Sequence, residues 1–241
     1  MPFFIVSLLS LKLPAWIFGA KGHDEEMTVD YIEKLKQDYE QRKPIIKQRM
    51  QEFEETHKKG DEAIFTELCF CIFTAGSSAR SGLKCIDAMN DIILTGDAVE
   101  IEGRIEGCHR YPKARAGYII HTRNYLENEW DFKLKDLIES FDDRLALRDF
   151  FATNKGIKGI GYKEASHFLR NIGLKGYAIL DIHILRSLHE FGLIDSPKPP
   201  TTRKRYLEVE EKLKEFAESI GMDFDELDLV LWSSRTGEVL K

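Results

Sequence analysis

Gly159 and Gly161 stand on either side of Ile160, and a helical pattern begins one residue later. Glycine has no Cβ, so the pair permits a sharp turn with positive φ and lets the backbone come close to a ligand. From Tyr162 the apolar residues Ala165, Phe168, Leu169 and Ile172 recur at helical spacing, which predicts one buried stripe, and Gly173 ends it. Lys163 falls nearly opposite that stripe and in the first turn, where backbone N–H groups lack partners and the helix dipole is positive. A cation is mildly disfavoured there. On residue chemistry alone, Lys163 reads equally as a solvated surface lysine and as a functional one.

The remainder of the chain reads as helix after helix, and no segment sustains the alternation of a strand, so the expected class is all-α. Helices are predicted at Thr28 to Thr56, with a break near Pro44, and from Asp61 as N-cap through Ile64, Phe65, Leu68, Cys69, Ile72 and Phe73. The polar turn Ala75-Gly76-Ser77-Ser78 follows. Further helices are expected at Ala79 to Leu94, Pro112 to Asn128, Leu134 to Phe141 and Arg144 to Thr153, the last capped by Asp142 or Asp143 with Phe150 and Phe151 inward. Asp195 to Thr202 is the clearest loop, ahead of helices at Arg203 to Ile220 and Asp223 to Ser234.

A chain of 241 residues, 43% of them hydrophobic, can bury a sizeable core in one domain or two small ones. Its net charge of −6 excludes indiscriminate adhesion to nucleic acid, so any such contact needs a local patch. Between Asn154 and Lys175 the cations Lys155, Lys158, Lys163, Arg170 and Lys175 face only Glu164, a net of +4; a solvated basic face has the same composition. Cys69, Cys71, Cys85 and Cys108 have no metal-site spacing and read as buried thiols, and His183 and His189 lack ligand partners and read as structural. Residues 1–26 form an extension: Lys12 and Pro14 interrupt its apolar part, which is then too short to span a membrane. A dispensable segment before Met27 is the preferred reading, and a signal peptide the alternative.

The hairpin, a lysine two residues after it, and Asp181 18 positions beyond that lysine, leading a D-x-H-x-x-R run of Asp181, His183 and Arg186, together resemble the helix-hairpin-helix DNA glycosylases. The segment His109-Arg110-Tyr111-Pro112-Lys113-Ala114-Arg115-Ala116, with the run Leu227 to Trp232 and the ending Gly237 to Lys241, is similar to the archaeal and thermophile type of 8-oxoguanine DNA glycosylase/AP lyase. The resemblance implies two helical subdomains with a cleft between them: residues 61–174 ending in the hairpin, and residues 27–60 with 175–241. It implies catalytic roles for Lys163 and Asp181, DNA binding by Lys158, Gly159 and Gly161, and substrate binding by Trp232 and Lys241. The expected partner is double-stranded DNA containing 8-oxoguanine, bound by a cytoplasmic monomer with no membrane contact, no metal and no cofactor. Some relatives carry a C-terminal iron–sulfur cluster, which a chain without cysteine after Cys108 cannot hold.

The residue types suit that chemistry. Loss of a base builds positive charge at C1′, which a carboxylate stabilises and an amine captures. Asp181 also reads as the N-cap of a helix from Ile182 to Glu190. Desolvation would favour the neutral amine of Lys163. A flipped base needs a stacking platform, offered by Trp232, although tryptophan is more often a core residue. Telling 8-oxoguanine from guanine takes a donor and an acceptor side by side, and the resemblance gives that role to the ammonium and carboxylate of Lys241. The alternative readings are a non-catalytic helix-hairpin-helix DNA-binding module and an all-α interaction protein.

Overall fold

A computed structural model describes residues 25–240; residues 1–24 and Lys241, on which two of the expectations fall, lie outside the described residues. Among the described residues every regular element is a helix: α1 (Glu25–Lys58), α2 (Asp61–Thr74), α3 (Ala79–Met89), α4 (Ala98–Ile105), α5 (Pro112–Trp130), α6 (Leu134–Glu139), α7 (Arg144–Thr153), α8 (Tyr162–Asn171), α9 (Ile182–Glu190), α10 (Arg203–Ile220) and α11 (Phe224–Thr236). The class is all-α, as expected. No helix among the described residues is long and apolar enough to cross a membrane.

The chain divides into two compact units, one of residues 48–179 and one that joins the described residues up to Lys47 to the segment Leu180–Leu240. The first is built around α2, whose residues from Ile64 to Thr74 are buried except Thr66, and which packs on α3, α5, α6 and α8. A helix buried on all sides needs apolar residues all round, and this one supplies Ile64, Phe65, Leu68, Phe70, Ile72 and Phe73. In the second unit α11 packs on α9 and α10, and Phe191 stacks on Phe216 with ring centroids 5.3 Å apart. The buried Glu226 is held by a hydrogen bond of 2.7 Å from the Tyr39 hydroxyl and by Lys47, which satisfies a charge that burial would otherwise penalise.

Four local expectations change. α1 continues through Pro44 without the break. Pro44 is exposed, so water can reach the carbonyl left without its donor, and burial of Ile32, Leu35, Ile46 and Phe53 along the same helix outweighs the defect. Each such side chain contributes about 1.5–3 kcal/mol against roughly 3 kcal/mol for an interior proline. Asp61 is the first residue of α2 and not its cap; that place belongs to Gly60 at φ 95°, while the Asp61 carboxylate accepts from the Lys135 N–H at the start of α6. The helix expected to reach Leu94 ends at Met89, and α4 was not anticipated. α4 opens with a capping box, Asp97 accepting from the Val99 and Glu100 N–H groups and Glu100 from the Asp97 N–H. Asp143 caps α7 through the Leu145 N–H, with Phe151 buried and Phe150 partly so.

Candidate active site and nucleic-acid interface

The hairpin lies between α7 and α8 and is fixed by polar contacts of its own. Asn154 Oδ1 accepts from the Gly156 N–H at 2.7 Å, which tightens the turn, and Asn154 Nδ2 donates to the Tyr125 hydroxyl. The Lys158 N–H donates to Thr122 Oγ1 at 3.0 Å. Gly159 has φ 83°, and a Cβ there would lie 2.5 Å from the Tyr118 ring. Gly161 does not share that conformation: at φ −124° and ψ −161° it is extended, and a Cβ would meet only Glu164 Oε2, at 3.8 Å. Of the two glycines, only Gly159 needs a positive φ.

Glycine offers no capping side chain, so α8 makes half of a capping box, with Glu164 Oε2 accepting from the Gly161 N–H at 3.3 Å. The other oxygen, Oε1, lies 3.2 Å from Lys163 Nζ. Glu164 therefore ties the hairpin backbone to the Lys163 ammonium and offsets its charge at the positive end of the helix. The Lys163 side chain is about a quarter exposed, at 28%. The stripe of Ala165, Phe168, Leu169 and Ile172 is fully buried, as expected.

The charge tally of this stretch overstates its surface. Arg170 is buried with its guanidinium 4.6 Å from the Phe53 ring centre, Lys175 pairs with Glu54 at 3.2 Å, and Lys163 pairs with Glu164. Lys155 and Lys158 remain without a carboxylate partner among the described residues. One further exposed cation, Lys113, comes from α5. Lys113 and His121 of that helix, with Lys158 and Gly159, line an open hollow of about 530 Å3.

Helix α5 is the hairpin's bed, which the spacing did not reveal. The Arg115 guanidinium donates to the Ala75 carbonyl and, at 3.4 Å, to that of Gly159, linking the polar turn after α2 to the hairpin. Tyr118 and Thr122 continue the same face at helical intervals, Arg115 lying over the Tyr118 ring at 5.6 Å. The entry of α5 is held by the buried His109, whose Nε2 meets the Phe73 carbonyl at 3.0 Å while Nδ1 accepts from the Tyr111 N–H at 3.0 Å. A carbonyl only accepts, so Nε2 carries the proton and the ring is neutral. Burial pushes its pKa down, and the charges of Arg115 and Arg110 push the same way.

Asp181 and Trp232 belong to the other unit. Asp181 is the N-cap of α9: Oδ1 accepts from both the His183 and Ile184 N–H groups at 2.8 Å. Oδ2 makes no hydrogen bond among the described residues. Trp232 is partly exposed and meets His183 edge to face, with centroids 6.3 Å apart. His183 thus supports Trp232, and His189 closes the end of α9 by bonding the Ile194 carbonyl at 2.9 Å. No group of three or more His, Cys, Asp or Glu residues suited to a metal occurs among the described residues.

The family model described as 8-oxoguanine DNA glycosylase matches residues 46–222. A relative from Methanocaldococcus jannaschii, named 8-oxoguanine DNA glycosylase/AP lyase, is 42% identical over 216 residues, which is 89% of this chain and 100% of the relative. A relative of the same name from Thermotoga maritima is 38% identical over 214 residues, covering 88% and 99%. The crystal structure of the M. jannaschii 8-oxoguanine glycosylase/lyase in complex with 15mer DNA containing 8-oxoguanine is similar with a TM-score of 0.80, at 40% identity over 88% of this chain and 99% of that one. The T. maritima 8-oxoguanine DNA glycosylase structure also gives 0.80, at 36% identity over 89% and 100%. With the model matched over most of the chain and these identities running through nearly the whole of each relative, the chain belongs to the 8-oxoguanine DNA glycosylase family.

Proposed function

We propose that this protein removes 8-oxoguanine from double-stranded DNA and then cleaves the strand at the resulting site, acting as a cytoplasmic monomer. Departure of the base with the electrons of the glycosidic bond leaves positive charge at C1′, which the Asp181 carboxylate stabilises. The Lys163 amine bonds to C1′, and loss of a proton with ring opening gives a Schiff base. That iminium makes the 2′ proton acidic; its removal expels the 3′ phosphate by β-elimination. As an ion-paired ammonium Lys163 is no nucleophile, and Glu164, 3.2 Å away, is the acceptor within reach of its proton. Lys158, Gly159 and Gly161 hold the phosphate backbone, with N–H groups that donate without regard to sequence. Trp232 stacks on the extruded base, and Lys241 reads its oxidised edge.

One observation supports this reading above the others. Asp181 commits one oxygen to two helix N–H groups and leaves the second uncommitted, so its carboxylate is fixed and still available to a developing cation. A non-catalytic hairpin module needs neither that oxygen nor Lys163. The test is borohydride reduction in the presence of an 8-oxoguanine duplex. Wild-type protein should be trapped covalently on the DNA, and Lys163→Gln should bind the duplex yet give no adduct and no strand cleavage. Trapping at undiminished yield in the variant would assign the nucleophile to another amine.

A further inference from the structure

We propose that the hollow between α5 and the hairpin, lined by Lys113, Gly117, Tyr118, His121, Lys158 and Gly159, is a second seat for a backbone phosphate of the DNA strand. The inference rests on the reading that this unit's hairpin holds DNA, and adds to it a site on a different helix.

Charge is the first ground. No carboxylate lines the hollow, and neither Lys113 nor Lys158 has an acidic partner among the described residues, whereas Lys163 and Lys175, from the same basic stretch of sequence as Lys158, are both paired. Two ammonium groups left uncompensated in a protein of net charge −6 make a local anion site. His121 is turned by its contact with the Lys155 carbonyl, Nε2 to O 3.0 Å, and lines the same wall.

Shape is the second ground. Gly117 sits in the interior of α5, where glycine is a poorer helix former than alanine. A Cβ at Gly117 would meet nothing within 4 Å, and Gly117 has no positive φ, so the protein's own packing does not call for glycine there. With Ala114 beside it, the missing side chain lowers the floor of the hollow and lets a ligand approach the helix closely. Gly159 is shared between hollow and hairpin. A strand carries a phosphate at every nucleotide, and because Lys158 and Gly159 belong to both hairpin and hollow, one backbone can engage the two together.

The test uses the full chain and an undamaged duplex, which requires no chemistry at Lys163. Lys113→Gln should flatten the plot of log K against log salt by about one unit and weaken binding roughly eightfold at 0.1 M salt, equally for damaged and undamaged DNA. Gly117→Glu, which puts a carboxylate into open space on a helix, should weaken binding further while its melting temperature stays at or above that of wild type. An unchanged salt slope in Lys113→Gln, or wild-type affinity in Gly117→Glu, overturns the proposal. Inorganic phosphate serves as the probe for a free-anion site: protection of wild type by phosphate with no change in the DNA salt slope assigns the hollow to a small anion and not to the strand. Failure of wild type to bind any duplex would instead count against the function proposed above, so the two failures are distinguishable.

Discussion

Two glycines one residue apart do different work at the hairpin. At Gly159 the left-handed backbone would cost an L-residue about 1–2 kcal/mol, and the Tyr118 ring would have to move as well. Gly159→Ala should therefore lower the melting temperature. Gly161 is extended, a conformation that β-branched residues favour, and its surroundings have room. Gly161→Val should melt close to wild type yet lose affinity for damaged and undamaged duplex alike, because what the added methyls exclude is a phosphate. Retained affinity in that variant would remove Gly161 from the DNA contact. Asp181 permits a comparable separation of roles. Asparagine also caps helices well, so Asp181→Asn should keep α9 and the fold while losing the charge that the cation at C1′ requires. Single-turnover excision should fall by orders of magnitude; excision within a few-fold of wild type would leave Asp181 as a cap alone.

Among the elements, α5 carries most of the information that the hairpin motif lacks. Arg115 joins the turn after α2 to the hairpin carbonyl 44 positions away, and Tyr118 and Thr122 complete the contact. Replacing Arg115 with methionine keeps the apolar stem and leaves two carbonyls without donors, at about 1–3 kcal/mol each where water cannot reach. The expected result is a lower melting temperature together with weaker binding of all DNA, read by calorimetry and by titration with undamaged duplex; normal binding would show that the hairpin holds its form unaided. The same helix explains what was legible in advance and what was not. Helices with a repeating apolar face, such as α7, α8 and α10, could be read nearly to the residue, and so could Asp181 as a cap, because both signals are local. α4 has eight residues and buries Ile101 and Ile105 alone, too few for periodicity, although Asp97 and Glu100 at capping-box spacing marked its start. The role of α5 depends on contacts between residues far apart in sequence, and Arg170 counted as surface charge until its burial against Phe53 was seen.

At the scale of the whole molecule, a protein of net charge −6 that binds a polyanion must do so through local groups of cations, and of the pair Lys113 and Lys158 the first lies at the start of α5, close in sequence to a histidine that has to stay neutral. His109 lies among Phe73, Arg110 and Arg115, its Nε2 donating to a carbonyl and its Nδ1 accepting from the N–H of Tyr111, the N-cap of α5. Protonation at Nδ1 would break the second bond and add a charge beside two guanidinium groups. Its pKa in the folded protein is accordingly below the ordinary 6.5, while the unfolded chain titrates near 6.5. The unfolded state thus binds more protons between those two values, so stability is full above about 6.5, declines as pH falls through that window, and levels off below the folded pKa. Acidification from about pH 7 to pH 5 should lower the melting temperature of wild type more than that of His109→Gln, whose amide can donate to Phe73 and accept from Tyr111 without titrating. The other histidines are common to both proteins and cancel in the comparison. Parallel melting curves against pH would mean that His109 takes up its proton in place, and that the entry of α5 is held by packing and not by the neutral ring.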